Sequence, residues 1–570
     1  RSPSRGLGDV YKRQSLFSFR LPARLPPPLP PPPCGIFLSP RVTLTHTELM
    51  ATPVANDSTL AVLAPFEVFQ AARLDFAQDL ARLAAQGRPG AASLAHEVDS
   101  LEKILAALEA SDTLVMDIAP LVADLAPSVQ QSAMIAMGRM CSLSSSLCIK
   151  VAQPDLLRHV VETVTRVASP SLLKAALFFL HASALSSADV AIELVELGVL
   201  APLCERVEAL DPGTKTDAVW CLAAIAKHNA ELAKAVANSG VLPLLKLCLK
   251  EPSLPLRRIT LSCIGCIGQH SEELASILSK DGLLADILPM LRHRDLVLRR
   301  HACRALAVSV QHLSDLGFWK PEATTDLLAC LGSASAGDAE TAAYGAALVG
   351  QLCKGSNSVA GACNEGGAGP LLTALLRNPK APTVPVALAL GHLCSASAAS
   401  AAAALDHGAL DALLSLLEAQ PPMHVCAALT VCMGAIGGAD AGCAATFAAS
   451  GALLAMARAT ILSRRKMSTT TTAAARGGVI AALSRCIDYP SLVQLFEETP
   501  LPAPASDTPP PSDGSAQPLD EAAVYAALLK ALAAAFAKNG NHRHDFMSRG
   551  HLAHVQAASK CGELIGEGLA

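Results

Sequence analysis

The chain repeats itself: KHNAELAKAVANSGVLPLL at Lys227–Leu245 is followed, 42 residues later, by QHSEELASILSKDGLLADI at Gln269–Ile287. A glycine followed by small apolar residues and leucines recurs along much of the chain. The recurring positions are Gly198, Gly240, Gly282, Gly367, Gly408 and Gly451. Their spacings are 42, 42, 85, 41 and 43 residues, so the longest step holds two periods. In the degenerate repeat inside that step, Phe318–Pro321 stands where a glycine is expected.

Each repeat carries signals for three helices. Glu231–Asn238 predicts a short first helix, and Gly240 follows its last turn, where a left-handed residue ends a helix and glycine adopts that conformation without steric cost. Pro243 lies in the first turn of a second helix, where its missing N–H removes no bond. Pro255–Gln269 predicts a longer third helix. Armadillo and HEAT repeats share a period of about 40–47 residues, but three helices with this glycine are typical of the armadillo repeat.

The sequence therefore predicts an all-α fold, an armadillo-repeat right-handed superhelical solenoid. A single repeat does not bury its own apolar face, so neighbouring repeats must stack into one continuous core. The composition agrees, because 51% of the 570 residues are hydrophobic and only 3% are aromatic. Segments rich in Ala and Leu favour packed helices over sheets. The 18 cysteines are scattered singly through apolar segments, which is typical of reduced, buried thiols.

Changes in composition suggest the domain boundaries. The polyproline stretch Leu25–Cys34 precludes a helix, and Met50 resembles a translation start, so the residues before it are predicted to lie outside the native coding sequence. An organelle transit peptide is the alternative interpretation of that leader. The predicted order is a disordered leader (1–49), an N-terminal helical cap (50–125), armadillo repeats (126–490), a disordered Pro-rich loop (501–519) and a C-terminal helical cap (520–570).

Basic residues also recur with the period of the repeat. Lys215, Arg257 and Arg299 are spaced by 42 and 42 residues, in the first turn of successive third helices. The helix dipole disfavours a cation at that end of a helix. Arg258 and Arg300 accompany two of them. Third helices line the concave groove of an armadillo solenoid, so this basic ladder favours an acidic ligand in the groove.

Nearby residues leave an alternative to a ligand-binding groove open. Asp211, Glu251 and Asp295 each lie just before a third helix, and pairing with the cations explains the ladder equally well, since surface ion pairs are common. Trp220 lies on the first of these third helices and is the remaining candidate groove residue. A nuclear import receptor needs such a tryptophan followed four residues later by asparagine. Ala224 occupies that place here, so we do not expect binding of nuclear import signals.

The candidate chemical sites favour structural interpretations. Three histidines lie one period apart at the ends of third helices: His228, His270 and His312. Helix layers are about 10 Å apart, which is too far for a shared metal, so these rings are expected to cap helix carbonyls. The cluster His542–Asp545, with His551 and His554, is a weak candidate for a metal site. No catalytic motif appears in the sequence, and we predict no enzymatic activity, no cofactor and no metal.

Two short motifs also favour the simpler interpretation. Cys263 and Cys266 form the one close cysteine pair, and a zinc site usually needs a second pair, so both are expected in the core. The basic run Arg464–Lys466 before Ser468 indicates either a kinase site in a loop or a solvated linker between helices.

Several stretches resemble the armadillo-repeat proteins of the ciliary and flagellar central apparatus, the sperm-associated antigen six type. They are Phe66–Arg73, Pro127–Met140, Leu210–Val236, Gln269–Ala275 and Tyr489–Pro500. The resemblance implies a non-catalytic scaffold of the motile axoneme, in the cytoplasm and cytoskeleton, that stabilises the central microtubule pair. It implies tubulin or microtubules and other central-apparatus proteins as partners. A general cytosolic armadillo adaptor that binds an acidic peptide in its concave groove is the alternative.

The chain also departs from that family. Pro502–Leu519 is an insertion, and the repeats after Gly317 are rich in alanine, which favours a divergent member. Charges are sparse from Glu340 to Arg458, so we expect apolar exposed surface there, suited to a protein partner or to self-association. Nucleic acid is not expected as a partner, because the net charge is −4. A membrane is not expected either, because Met50 is not followed by the glycine that acylation needs, and the apolar segment Ala381–Leu405 favours a buried solenoid helix.

Overall fold

The computed structural model describes residues 71–79, 81–82, 113–166, 169–334, 338–460, 477–480, 482–483, 489–498, 518–551 and 555. These residues form helices joined by turns, and none of them lies in a strand. They fall into two compact units, Arg1–Ile225 and Ala226–Ala570. The predicted all-α armadillo-repeat solenoid is confirmed within each unit.

Unit 1 contains a helix at 71–79 followed by the first complete repeats. Its further helices are α1 (Thr113–Val122), α2 (Pro127–Cys141), α3 (Ser145–Val151), α4 (Pro154–Arg166), α5 (Pro170–Ser186), α6 (Ala188–Glu196), α7 (Leu200–Val207) and α8 (Pro212–Ala226). The third helices of the repeats are α2, α5 and α8.

Unit 2 continues the same order of short, medium and long helices. Its first half comprises α9 (Ala230–Val236), α10 (Leu242–Cys248), α11 (Leu254–Gly268), α12 (Glu272–Lys280), α13 (Leu283–Ile287), α14 (Leu296–Val310), α15 (Pro321–Ala334) and α16 (Ala339–Gly355). Its second half comprises α17 (Asn357–Glu365), α18 (Ala368–Leu376), α19 (Thr383–Ala396), α20 (Ala398–Asp406), α21 (Ala409–Glu418), α22 (Met423–Gly437), α23 (Ala441–Ala449), α24 (Ala452–Thr460), α25 (Tyr489–Glu498), α26 (Pro518–Lys538) and α27 (Gly540–Ser548). The third helices are α11, α14, α16, α19 and α22.

The turn between first and second helices has the predicted left-handed glycine. All six glycines that mark the period have positive φ, from 69° at Gly451 to 86° at Gly240. A side chain is strained in that conformation, which explains why the sequence returns to glycine there. The prediction of Pro243 in the first turn of α10 is also confirmed.

The HNAEL motif of the repeat is a helix N-cap. Asn229 Oδ1 accepts a bond of 2.8 Å from the backbone N–H of Leu232 at the start of α9. Ser271 Oγ does the same for Leu274 at the start of α12, at 3.3 Å. Such a cap satisfies one backbone donor that the helix itself leaves unpaired. The equivalent residues Asn229 and Ser271 of the two quoted stretches therefore both act as helix N-caps.

The histidines of the repeat bridge successive third helices. The Nε2–H of His270 donates to the carbonyl of Ala226 at 2.8 Å, and the Nε2–H of His312 donates to the carbonyl of Gln269 at 2.8 Å. Each ring thus bonds a carbonyl at the carboxyl end of the preceding third helix, where unpaired carbonyls need donors. Carbonyl capping, predicted for these histidines, is confirmed for His270 and His312, and the helix they cap belongs to the preceding repeat.

The degenerate repeat has lost its first helix. Between α14 and α15 the described residues 311–320 form turns, and α15 begins at Pro321. Trp319 is buried in this connection and its Nε1–H donates to Thr324 Oγ1 at 3.0 Å. A buried indole with a satisfied N–H fixes the chain where the short helix would have packed.

Third helices cross one another at positions of small residues. A Cβ built on Gly350 would lie 3.0 Å from the Cα of Ala389, and one built on Gly391 would lie 3.1 Å from the Cα of Cys432. Gly265 has the same relation to the backbone of the next third helix, at 3.2 Å from the Cα of Ala305. A Cβ at these distances would force the neighbouring backbone to move away, so glycine allows the third helices of unit 2 to stack this closely.

Some of the predicted segments lie outside the described residues, and others are buried helices. The predicted leader (1–49), most of the Pro-rich loop (501–519), Ser468 and His554 lie outside the described residues. The bounds predicted for the caps and the repeats stay predictions. The apolar segment Ala381–Leu405 forms α19 and most of α20, and its residues Val386 and Leu390 are buried. Cys263 and Cys266 are both buried, as predicted.

In the part of the chain that the structure describes, no single helix has the length and hydropathy of a membrane span. One pair, Ala441–Ala449 with Ala452–Ala459, reaches them together, and its two helices are bent by 72°.

We expect Gly350→Ala to destabilise unit 2 by about 1–3 kcal/mol, because the new methyl group meets backbone that cannot retreat as a flexible side chain can. Gly361→Ala is the matched control, since Gly361 is an exposed helical glycine with nothing within 4 Å of a built Cβ. Alanine there should stabilise the helix by about 0.5–1 kcal/mol. Urea unfolding followed by far-UV circular dichroism measures both. Equal stability of the two variants would contradict the close helix crossing.

Candidate partner-binding face of the third helices

One stripe of the third helices α14, α16 and α19 stays partly exposed between packed flanks. In α14 the stripe holds Arg300, Arg304 and Val308, which are half-buried and spaced four residues apart on one side of the helix. Leu388 and His392 hold the corresponding places in α19, whereas all of residues 261–268 in α11 are buried. We call the stripes of α14, α16 and α19, together with the half-buried Arg258 of α11, the third-helix face.

Two of the predicted groove arginines are engaged between repeats. Arg258 in α11 donates to both carboxylate oxygens of Asp295, at 3.2 and 2.5 Å. Asp295 is the N-cap of the next third helix, α14, where its side chain accepts from the Leu298 N–H at 2.7 Å. The side chain of Arg258 is only 18% exposed, so the bidentate pair is shielded from water.

Arg300 repeats this arrangement one repeat later. It donates to Asp338 Oδ1 at 2.9 Å and to Glu340 Oε2 at 2.5 Å. Asp338 is the N-cap of α16 and accepts from the Thr341 N–H at 3.2 Å. The alternative interpretation paired the ladder with Asp211, Glu251 and Asp295. The structure gives Asp295 an arginine partner, Arg258, and it pairs Arg300 with two acids that this interpretation did not name. The partner in each case precedes the third helix of the following repeat.

The three residues of the original ladder lie elsewhere. Arg299 Nη1 donates to Ser333 Oγ at 2.9 Å, near the carboxyl end of the second helix α15. The Nε of Arg257 and that of Arg299 are buried and lack a hydrogen-bond partner among the described residues. Lys215 is half-buried in the first turn of α8, in unit 1. The structure therefore separates Arg299, beside a second helix, from Arg300, on the third-helix face.

Arg304 is a further cation of the third-helix face, and it lies outside the basic ladder that the sequence predicts. It follows Arg300 by one turn, and its one hydrogen bond to a described residue is a long contact of 3.4 Å from Nη1 to Ser262 Oγ. Its charge also reaches Lys227: burial lowers the pKa of Lys227, the Cys266 sulfur raises it, and Arg304 lowers it further. The sequence alone could have indicated Arg304 as a candidate groove residue, because it falls at the repeat position that Trp220 occupies in α8.

The pKa of His301 is affected by the arginines of this face. It is 7% exposed, and burial lowers its pKa to about 4, with further lowering by Arg304, Arg300 and Arg258 and an opposing effect of Asp295. A histidine near three guanidinium groups stays neutral, because protonation would add a fourth positive charge in a dry place. The positive charge of the face is therefore carried by the arginines and Lys227.

Trp220 belongs to a different environment in unit 1. Its ring lies 4.3 Å from that of His181, and His181 Nδ1 is 3.2 Å from the Trp220 carbonyl oxygen. One turn earlier in α8, burial raises the pKa of Asp217 to about 6, against the lowering effect of Lys174. The structure therefore places the predicted groove residue Trp220 against the ring of His181.

The histidine cluster near the end of the chain is part of a packed aromatic layer. His542 stacks on Tyr489 with ring centroids 4.3 Å apart and an angle of 5°. Tyr489 donates its O–H to Asp545 Oδ2 at 2.8 Å, and His551 Nε2 lies 3.1 Å from Glu497 Oε1. Within the described ranges there is no group of three or more His, Cys, Asp or Glu arranged to hold a metal ion.

Comparison with known proteins shows the fold alone. No family model and no curated protein matches the chain. An engineered protein of known crystal structure is 16% identical, covers 71% of this chain and 98% of its own, and has a TM-score of 0.55. A designed armadillo-repeat protein in complex with the peptide (KR)4 is 20% identical, covers 40% of this chain and 99% of its own, and has a TM-score of 0.33. A structure of computationally designed armadillo-repeat proteins for modular peptide recognition is 19% identical, covers 40% of this chain and 99% of its own, and has a TM-score of 0.32.

We expect unit 2 to lose stability as the pH falls from about 6.5 to 4, in part through His301. The pKa of His301 in the folded chain is about 4, below its ordinary value of 6.5. Between these two pH values His301 is therefore protonated in the unfolded chain and neutral in the folded chain. The stabilisation is complete above pH 6.5 and decreases by about 3 kcal/mol on the way to pH 4.

His301→Gln should therefore flatten the dependence of the unfolding free energy on pH in this range. His424→Gln, at an exposed histidine of α22, is the matched control. Urea titrations at a series of pH values measure the slope. The same slope in wild type and His301→Gln would contradict the buried neutral state.

Proposed function

We propose that this protein is a non-catalytic interaction scaffold of the motile cilium or flagellum, located in the axoneme, that stabilises the central microtubule pair. The resemblance of five stretches to the armadillo-repeat proteins of the central apparatus supports the cellular role. The observation that supports a scaffold is the third-helix face, where half-buried positions recur in the successive third helices α14, α16 and α19 of one helical stack. Such a stack offers contacts about 10 Å apart, and a partner that is itself a lattice matches repeated contacts.

The thiols and the charged side chains of the described residues support a binding role over a catalytic one. Burial raises the pKa of the Cys221 and Cys432 thiols, because it disfavours the thiolate, so these two groups are poor nucleophiles. Two arginines of the third-helix face, Arg258 and Arg300, form ion pairs with acidic residues of the following repeat. We propose protein partners for this chain, with tubulin and other central-apparatus proteins as the specific candidates, and self-association through its alanine-rich half.

A general cytosolic adaptor that binds an acidic peptide is the second candidate function. Arg304 favours it, because this partly exposed guanidinium has only a long contact to Ser262. A protein in either role would use the same face. The two candidates differ in where the protein resides and in which partner supplies the acidic residues.

We expect a fluorescently tagged copy to concentrate along the axoneme of a flagellated cell, between the outer doublets. Removal of the gene should leave cilia assembled but poorly motile, with a missing or unstable central pair. Super-resolution imaging and electron microscopy of axoneme cross-sections measure these outcomes. A cytosolic tag together with a normal central pair and normal swimming would exclude the ciliary role and leave the adaptor.

A further inference from the structure

Two buried cysteines contact each other across the junction where a first helix is missing. Cys303 lies in the third helix α14, and Cys330 lies in the second helix α15 of the degenerate repeat. Their Sγ atoms are 3.9 Å apart, although 27 residues separate them along the chain. Both side chains are buried, with exposures of 0% and 1%. The Sγ of Cys221, by contrast, donates to the carbonyl oxygen of Leu177.

A guanidinium group is fixed beside this pair of thiols. Arg299 precedes Cys303 by four residues, so the two side chains project from neighbouring turns of α14. Arg299 Nη1 donates to Ser333 Oγ at 2.9 Å, and Ser333 Oγ donates to the carbonyl oxygen of Cys330 at 2.7 Å. The Nε of Arg299 is buried and lacks a hydrogen-bond partner among the described residues. Arg299 is therefore linked to both helices that carry the cysteines.

The contact between the thiols favours the thiolate form of Cys330. The pKa of Cys330 is lowered because the Cys303 thiol donates to its sulfur, and the charge of Arg299 lowers this pKa further, against burial and the charge of Asp338. Burial instead raises the pKa of Cys432 in α22. The thiolate is the reactive form of a cysteine, and a neighbouring arginine stabilises it. Cys330 is therefore the better nucleophile of these two buried thiols.

We propose that Cys303 and Cys330 form an oxidation site, at which hydrogen peroxide converts the two thiols into a disulfide that links α14 to α15. The Cys330 thiolate attacks one peroxide oxygen and becomes a sulfenic acid, and the other oxygen takes up a proton and leaves as water. The Cys303 sulfur then attacks the Cys330 sulfur. The hydroxyl group of the sulfenic acid leaves with the Cys303 proton as a second water, so two thiols reduce one peroxide.

The missing first helix favours access of the oxidant to the buried pair. Residues 311–320, which connect α14 to α15, form turns in place of that helix. A segment with less helix packing opens locally at a lower cost in free energy, and peroxide is a small molecule. The sulfurs of a disulfide are about 2.05 Å apart, so a side-chain rotation or a small helix shift must bring the thiols together. The bond would then fix a junction between repeats that lacks one of its helices. This inference goes beyond the proposed scaffold role and does not depend on it.

Peptide mapping of the full chain tests the oxidation site. The folded, reduced protein is treated with hydrogen peroxide, alkylated with iodoacetamide in urea, digested without a reductant and analysed by tandem mass spectrometry. We expect linked peptides that contain Cys303 and Cys330 and that dithiothreitol separates. Cys330→Ala should abolish this link. Cys221→Ala, which removes a buried thiol bonded to a carbonyl oxygen, is the matched control and should retain it.

Substitutions of Arg299 test the contribution of its charge. Arg299→Gln should slow formation of the link about threefold or more, because the Cys330 thiolate loses a neighbouring positive charge. Arg299→Lys keeps the charge and should restore most of the rate, which a merely structural role of the guanidinium would not predict. Arg294→Gln, which removes the same charge at an exposed loop position, should react as wild type does. Circular dichroism checks that each variant is folded.

Three results would overturn the proposal. The first is the absence of the linked peptides from oxidised wild-type protein, a measurement that needs no variant. The second is a link that forms only after the chain is unfolded in urea, and the third is an equal yield of links from Cys330 to several other cysteines. Equal rates in Arg299→Gln and wild type would exclude the role of Arg299. A protein that stays outside cilia but forms the link would exclude the ciliary role alone, so the two failures are distinguishable.

Discussion

The close approach of successive third helices is the constraint on which unit 2 depends. At Gly265, Gly350 and Gly391 the backbone of one third helix lies so close to the backbone of the next that a methyl group would force the neighbouring backbone to shift. Dispersion contacts and burial are then continuous from repeat to repeat, since a closely packed interior leaves few gaps. Because the spacing is fixed at the backbone, side chains at equivalent positions are held at a regular interval.

Polar contacts between repeats follow from that spacing. The N-cap carboxylates Asp295 and Asp338 satisfy the start of one helix and at the same time hold an arginine from the repeat before. His270 and His312 act at the other ends of the third helices, where they donate to the carbonyls of the preceding repeat. Each of these groups therefore serves both the helix ends and the junctions between repeats, which satisfies polar groups that burial would otherwise leave unpaired.

The position of each arginine in this regular layer determines which partner it contacts. Neighbouring arginines in α14 have different partners: Arg299 bonds Ser333 by the second helix, Arg300 bonds acids of the next N-terminus, and Arg304 keeps a weak contact to Ser262. Helical periodicity turns adjacent residues by about 100°, so consecutive cations in the sequence lie on different sides of the helix.

The sequence by itself determined the repeat. Period, glycine turns, N-cap residues such as Asn229 and the three-helix plan are local signals, because a left-handed turn or a helix start is specified by a few adjacent residues. Only the tertiary structure decided which charges are paired. Arg258 and Asp295 are 37 residues apart, and their contact depends on how one repeat packs on the next. It likewise decided the absence of a first helix before Pro321, the burial of His301 and the long contact of Arg304 with Ser262, because burial and pairing are set by neighbours that are distant along the chain.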